Sequence, residues 1–204
     1  MVIYSSNFLP CLAYFAGILQ EPEIKINIGE QYRKQSYRTR AYILGPHQVE
    51  TLNIPVLNAP NNEIIKEIQI DNRTSWQRSH FKTISNCYKK STYFEFYEYL
   101  FEPLFIKTFS HLIDFNHESL SICLKILKIN KTICQGEFSY FENKNDFISF
   151  NAKNRLELPD YFVSRPYFQN FGNKFEQNLS IIDLLFSKGP ESVDLLKSSI
   201  KSIN

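Results

Sequence analysis

The stretch QYRKQSYRTRAYILGPHQVETLNIPV, residues 31–56, sets Arg33, Lys34, Arg38 and Arg40 ahead of an apolar run. Extended backbone from Lys34 onward would put Lys34, Ser36, Arg38 and Arg40 on one side of a strand. Tyr37, Thr39, Ala41 and Ile43 would then face the other way. Same-face neighbours lie roughly 7 Å apart, a span suited to gripping a phosphate, a diphosphate or a carboxylate. The same residues would serve equally as a wetted strand face, or as partners for Glu21, Glu23 and Glu30 nearby in the chain. Spacing alone leaves both readings open.

His80 shares a helical stripe with Trp76, Ile84 and Cys87 in TSWQRSHFKTISNCYKK, which aims it at the interior or at a cleft. A half-buried imidazole near cations tends to be neutral, the state a general base requires. A hydrogen-bonded core histidine would occupy the same position. Trp76 and the pair Tyr93 and Phe94 offer rings for a base or a sugar, or simply for packing. Asp183 lies inside the apolar run LSIIDLLF, where a carboxylate needs a partner, either an Arg or a ligand. Cys11, Cys87, Cys123 and Cys134 form no C-x-x-C pair, and His47, His80, His111 and His117 have no short ligand spacing, so no metal site is expected. The chain also has no G-x-G-x-x-G, no P-loop and no G-x-S-x-G elbow, which removes local support for dinucleotide, ATP or hydrolase readings.

The elements that would position these residues read as one α/β domain over residues 1–204, with a mixed sheet that is antiparallel in its N-terminal third and helices packed against it. A short strand at Val2–Tyr4 leads through a turn to a helix over about Leu9–Gln20, and EIKINIG alternates as a half-buried strand. SYRTRAYILG and HQVETLNIPV, punctuated by Gly45 and Pro46, read as an antiparallel pair, and EIIKEIQI as another strand. Three helical segments follow, the last capped at Asn116, and then short strands in KTICQGEFSYF and DFISF. PDYFVSRPYFQNFGNKFEQ reads as loop and edge strand. At the C-terminus Asn178 or Ser180 would cap a helix that Gly189-Pro190 stops before the next begins.

Composition sets outer limits. The 204 residues suffice for one sizeable core, and 18 Phe and 12 Tyr predict an aromatic-rich one. A net charge of +2 argues against general nucleic-acid binding, so any basic site must be local; single-strand RNA binding by interleaved aromatics and cations is a weaker reading for the same reason. NFLPCLAYFAGILQ has no cation ahead of Lys25 and is closed by Glu21 and Glu23, too short to span a bilayer, so it reads as neither signal peptide nor membrane anchor and predicts a cytoplasmic protein.

Taken together, NFLPCLAYFAGI, YRKQSYRTRAYI, LNIPV, WQRSHFKTISNCYKKSTYFEFY and NLSIIDLLFSKGPES resemble, in order, the blocks of the WbqC-like family. That bacterial group is often encoded with genes for O-antigen and other surface polysaccharides. Thr39 stands where members commonly have Asn between the two arginines, and the segment QGEFSYFENKNDFISFNAKNRLELPDYF is shorter than the Gly-rich stretch of longer members, like the branch found in Bacteroidetes-type bacteria. The resemblance implies a group transferase of acyl type acting on a nucleotide-linked amino sugar in lipopolysaccharide biosynthesis, or else a non-catalytic binding or assembly module of envelope biosynthesis. Its motif positions fall on Lys34, Tyr37, Arg38, Arg40, Trp76, His80, Tyr93, Asn178 and Asp183. In the transferase reading His80 is the base and the other eight bind substrate, with a phosphate-bearing molecule such as a nucleotide-sugar as partner. No cofactor is indicated by either the motifs or the resemblance.

Overall fold

The computed structural model describes residues 2–58, 62–138, 147–150, 152 and 154–201. Strand β1 (Ile3–Ser5) is buried along its whole length and leads to helix α1 (Leu12–Gln20) and strand β2 (Ile24–Asn27). The hairpin β3 (Arg40–Leu44) and β4 (Val49–Asn53) follows, then helices α2 (Trp76–Tyr88), α3 (Phe94–Ile106) and α4 (Leu112–Ile126). Strands β5 (Ile133–Gly136) and β6 (Phe147–Ile148) and helices α5 (Ile181–Lys188) and α6 (Ser192–Ser198) complete the order.

The expected single mixed sheet separates into two. Four strands form a parallel sheet in the order β5-β2-β1-β6, and β3 pairs with β4 alone, antiparallel. Gly45 and Pro46 turn that hairpin as its sequence predicts. The parallel pairing is a long-range choice: β1 meets β2 through Tyr4↔Ile26 and β6 through Tyr4↔Ile148. Chain order runs outward from β1 through β2 to β5 and then crosses to the far side of β1 for β6. The reversal of order therefore falls at β1, and ligands of open parallel sheets gather outside the carboxyl ends of strands at such a point.

Several local expectations are corrected. Residues 34–39 are turns, and only Arg40 enters a strand. Gln35 takes a left-handed φ of 56°, and the Ser36 carbonyl accepts from both Thr39 and Arg40 N–H, so the chain curls where alternation suggested extension. EIIKEIQI is not a strand but a 3-10 turn at Ile65–Glu67 flanked by single bridges. Helix α1 starts three residues later than expected, because Cys11 is held in a bridge to Ser180. Asn116 is an interior residue of α4, whose N-cap is His111. Parts of the strands expected in KTICQGEFSYF and DFISF, residues 139–141 and 146, lie outside the described residues.

Phe115 on α4 is a hub of the aromatic core, its ring 5.1–6.1 Å from Phe8, Trp76, Phe105 and Phe109. Helix α1 is buried on every side from Leu12 to Ile18, as an all-apolar helix must be. Helix α5 ends at Gly189, whose φ of 53° suits glycine, and a Cβ there would lie 2.5 Å from the Tyr93 ring. Gly189→Ala combines backbone strain with that clash and should lower stability by about 2 kcal/mol. A urea titration should show it as a shifted midpoint at unchanged slope.

Candidate functional site

The cations of the opening stretch part company in the fold. Lys34 and Arg40 line a surface hollow of about 570 Å³ together with Tyr32, Thr39, Asn53 and Asn58, and no carboxylate among the described residues lines it. Lys34 is exposed, and no ion pair joins it among the described residues; the Arg40 guanidinium reaches only the Asn53 side-chain oxygen, at 3.4 Å. Left-handed Gln35 and Asn58, also at the hollow, give it its concave outline. An oxyanion placed there would meet two charged donors and no competing negative charge.

Arg38 points the other way. It is 3% exposed and donates to the Glu30 carboxylate, and the two side chains are equally hidden from water. Glu30 also accepts from the Ser6 backbone N–H at 3.1 Å. Burial pushes the Glu30 carboxyl above its usual range, while Arg38 and the Ser6 N–H pull it back. Ser6 and Glu30 follow β1 and β2, so this ion pair sits at the carboxyl end of the parallel sheet. Asn116 closes the group, its Nδ2 donating to the Ser6 hydroxyl at 3.1 Å and to the Arg38 carbonyl at 3.0 Å. Tyr37 is buried beside it, edge-on to Tyr42 and Phe150.

The remaining motif positions distribute as follows. His80 is half-buried against Trp76 and Phe8, and its Nε2 has neither solvent nor partner among the described residues. Burial holds its imidazole below the ordinary histidine range, with the backbone of Asn53 and Trp76 offsetting part of that. Because Asn53 also lines the hollow, His80 stands directly behind the hollow's wall. Trp76 is buried and donates to Asn72 at 3.4 Å, and Tyr93 stacks on Tyr97 with a ring tilt of 18°. Asn178 does not cap α5. Its Oδ1 accepts from Ala13 N–H at 3.0 Å and so caps α1, from a residue at φ 54°. Ser180 stands at the α5 N-cap position without a side-chain capping bond and donates instead to the Leu9 carbonyl.

Asp183 finds no arginine. Its carboxylate accepts from Tyr88 at 2.7 Å, Tyr167 at 2.5 Å and Gln169 at 3.2 Å. Burial nevertheless raises its carboxyl above the usual range, the three hydrogen bonds lowering it only in part. This clasp ties α2, α5 and the 161–170 loop together, far in sequence from the hollow.

Sequence reasoning grouped Lys34, Arg38 and Arg40 as one anion grip with His80 as its base; in the fold Lys34 and Arg40 line the hollow, and Arg38 turns to Glu30. That reasoning passed over Ser6 and Asn7, read Asn116 only as a helix cap, and named Glu30 only as one of three acidic neighbours. Ser-Ser-Asn directly after a buried strand was the available signal, because it ends the apolar run at the point where a parallel sheet presents its ligand edge.

Among the described residues no three His, Cys, Asp or Glu groups gather as a metal would need, and no helix is long and apolar enough to cross a membrane.

Comparison with known proteins places these features in a family. The model of the WbqC-like protein family matches residues 5–148 and 139–195, a span that takes in the hollow, the Glu30–Arg38 group and α5. A curated relative, Uncharacterized protein Rv1507c of Mycobacterium tuberculosis (strain ATCC 25618 / H37Rv), is 25% identical over 226 residues. That alignment covers 97% of this chain and 97% of the relative. No solved structure matches the chain. With nearly its whole length inside the family match, the chain belongs to the WbqC-like protein family.

Proposed function

We propose that the protein is a group transferase whose phosphate-bearing substrate, of the nucleotide-sugar type, docks its phosphates between Lys34 and Arg40. The observation that carries this reading is the pairing of two cations around one hollow from which carboxylates are absent among the described residues. Arg38, neutralised by Glu30, is left out of the phosphate contacts. His80, buried behind the hollow's wall, supplies the base when a local opening of that wall exposes its Nε2. As the amine of an amino sugar attacks the acyl carbon of a thioester donor, the amine proton passes to the His80 imidazole. The carbon–sulfur bond breaks, and the thiolate leaves with the electron pair. A lowered histidine pKa keeps that imidazole neutral and receptive near pH 7. Four cysteines without disulfide partners accord with a cytoplasmic place for this chemistry, and envelope polysaccharide assembly is the setting that family resemblance suggests.

A second reading, a non-catalytic assembly module, draws on Phe96, Tyr99 and Ile106, which stand 63–72% exposed along one side of α3. A thermal-shift screen with nucleotides, nucleotide-sugars and acyl-CoA separates the two. Under the transferase reading one class, at a hundredfold its Kd, adds about 2.7 kcal/mol of stability. That is roughly 5–10 °C for a chain of this size. The Lys34→Ala/Arg40→Ala variant should lose the rise, and added salt should shrink it. Silence from all three classes would favour the module.

A further inference from the structure

Asn7 Nδ2, Tyr37 Oη, Arg38 Nε and Asn116 Oδ1 are buried with neither solvent nor partner among the described residues. Each such atom costs about 1–3 kcal/mol, and folded proteins hold few of them. Asn7, Arg38 and Asn116 belong to one contiguous group, whereas the Tyr37 hydroxyl lies toward Cys11, Tyr42 and Arg155. Asn116 bonds Ser6 and the Arg38 carbonyl, Glu30 bonds Ser6 and Arg38, Asn7 accepts from Ser5, and the Tyr37 carbonyl accepts from Phe8 N–H. The orientation of Asn116 is fixed by its partners: the Arg38 carbonyl can only accept, so Nδ2 must face it and Oδ1 must point away. Glu30 balances the charge of Arg38, so the group as a whole calls for a neutral occupant. It lies at the carboxyl end of β1, where the strand order reverses.

We propose that this group is a second binding site, apart from the cation-lined hollow, that takes a neutral amide: a carboxamide or an N-acyl group. The carbonyl of such a group accepts from Asn7 Nδ2 and Arg38 Nε, and its N–H donates to Asn116 Oδ1. A bare hydroxyl has one oxygen to meet donors and acceptor alike, whereas an amide presents the two functions on separate atoms. Because all three protein atoms are shielded from water, entry requires a local opening, and exchange between free and bound forms is slow.

The test is a titration of the full chain, followed by ¹H–¹⁵N spectra, with N-acetylglucosamine against glucose, the same ring without the amide. We expect a second set of Asn7 and Asn116 side-chain amide signals that grows saturably with N-acetylglucosamine and stays absent with glucose. Asn7→Ala should weaken that response about tenfold, the loss of one hydrogen bond. Equal responses to both sugars, or none, would overturn the site, as would a crystal structure of the soaked protein with ordered water on the three atoms and no sugar. Should Asn7→Ala fail to fold, the comparison of the two sugars on the unaltered protein still decides. The probe carries no phosphate, so its failure leaves the ligand screen of the hollow standing.

Discussion

Arg38→Met should lower the melting temperature by roughly 6–20 °C, the largest effect expected from any residue of the opening stretch. The substitution leaves Glu30 buried and unpaired, and removing one member of a buried ion pair costs about 3–5 kcal/mol. For a chain of this length each kcal/mol moves the transition by about 2–4 °C. The loss should depend on pH in a definite direction. Burial already raises the folded-state pKa of Glu30 above the unfolded value of 4.5, so the folded protein binds the proton more tightly between those two values. The contribution of this group is therefore fully present below the unfolded value and declines as pH rises through the folded one. Without Arg38 the folded value climbs further, so the deficit is smallest in acid and widest near neutrality. Melting curves across that range check the slope. Glu30→Gln/Arg38→Met should recover much of the loss, since no charge is then stranded.

The second large effect belongs to Asp183. Asp183→Leu strands the hydroxyls of Tyr88 and Tyr167 in the interior, while the Gln169 amide keeps its bond to the Glu176 carbonyl. At about 1–3 kcal/mol for each orphaned donor, the loss should reach about 3 kcal/mol or more. Asp183→Asn keeps an acceptor and removes the charge, so it should cost less and reveal something else. In the parent protein burial raises this carboxyl above its unfolded value of 3.8. Stability attributable to it is thus greatest below 3.8 and falls as pH rises through the folded value. The Asn variant lacks that decline, and its melting temperature should vary less with pH than the parent's.

The features legible in the sequence were those written by neighbours in the chain. Helix α2 followed from the stripe Trp76, His80, Ile84 and Cys87, the hairpin from Gly45 and Pro46 between two apolar runs, and the end of α5 from Gly189 and Pro190. Residues 34–39 alternate in type as a strand would, yet the backbone turns at Gln35 and Ser36, and Arg38 meets Glu30 in the interior. That outcome is set by tertiary contact, which no local pattern records. The same holds for Asn116. Asn is a favoured cap residue, but the helix begins four residues earlier, and the Asn116 amide is used to bind Ser6 and Arg38. The pairing of β1 with β6 spans most of the chain and leaves no local trace at all.

The cap that Asn178 places on α1 has a consequence for the order of events during synthesis. Ala13 and Leu12 donate to Asn178 and Leu179, more than 160 residues downstream, and Ile181 donates back to Pro10. A nascent chain exposes α1 long before its capping partners leave the ribosome, so its first turn stays frayed until residues 178–181 have emerged. Helix α1 is made early and locked late, and the loop closed at that step runs over more than 160 residues. Closures of that length slow the search for the native state. Refolding should therefore be limited by docking of the α5 segment onto the amino terminus rather than by the hairpin.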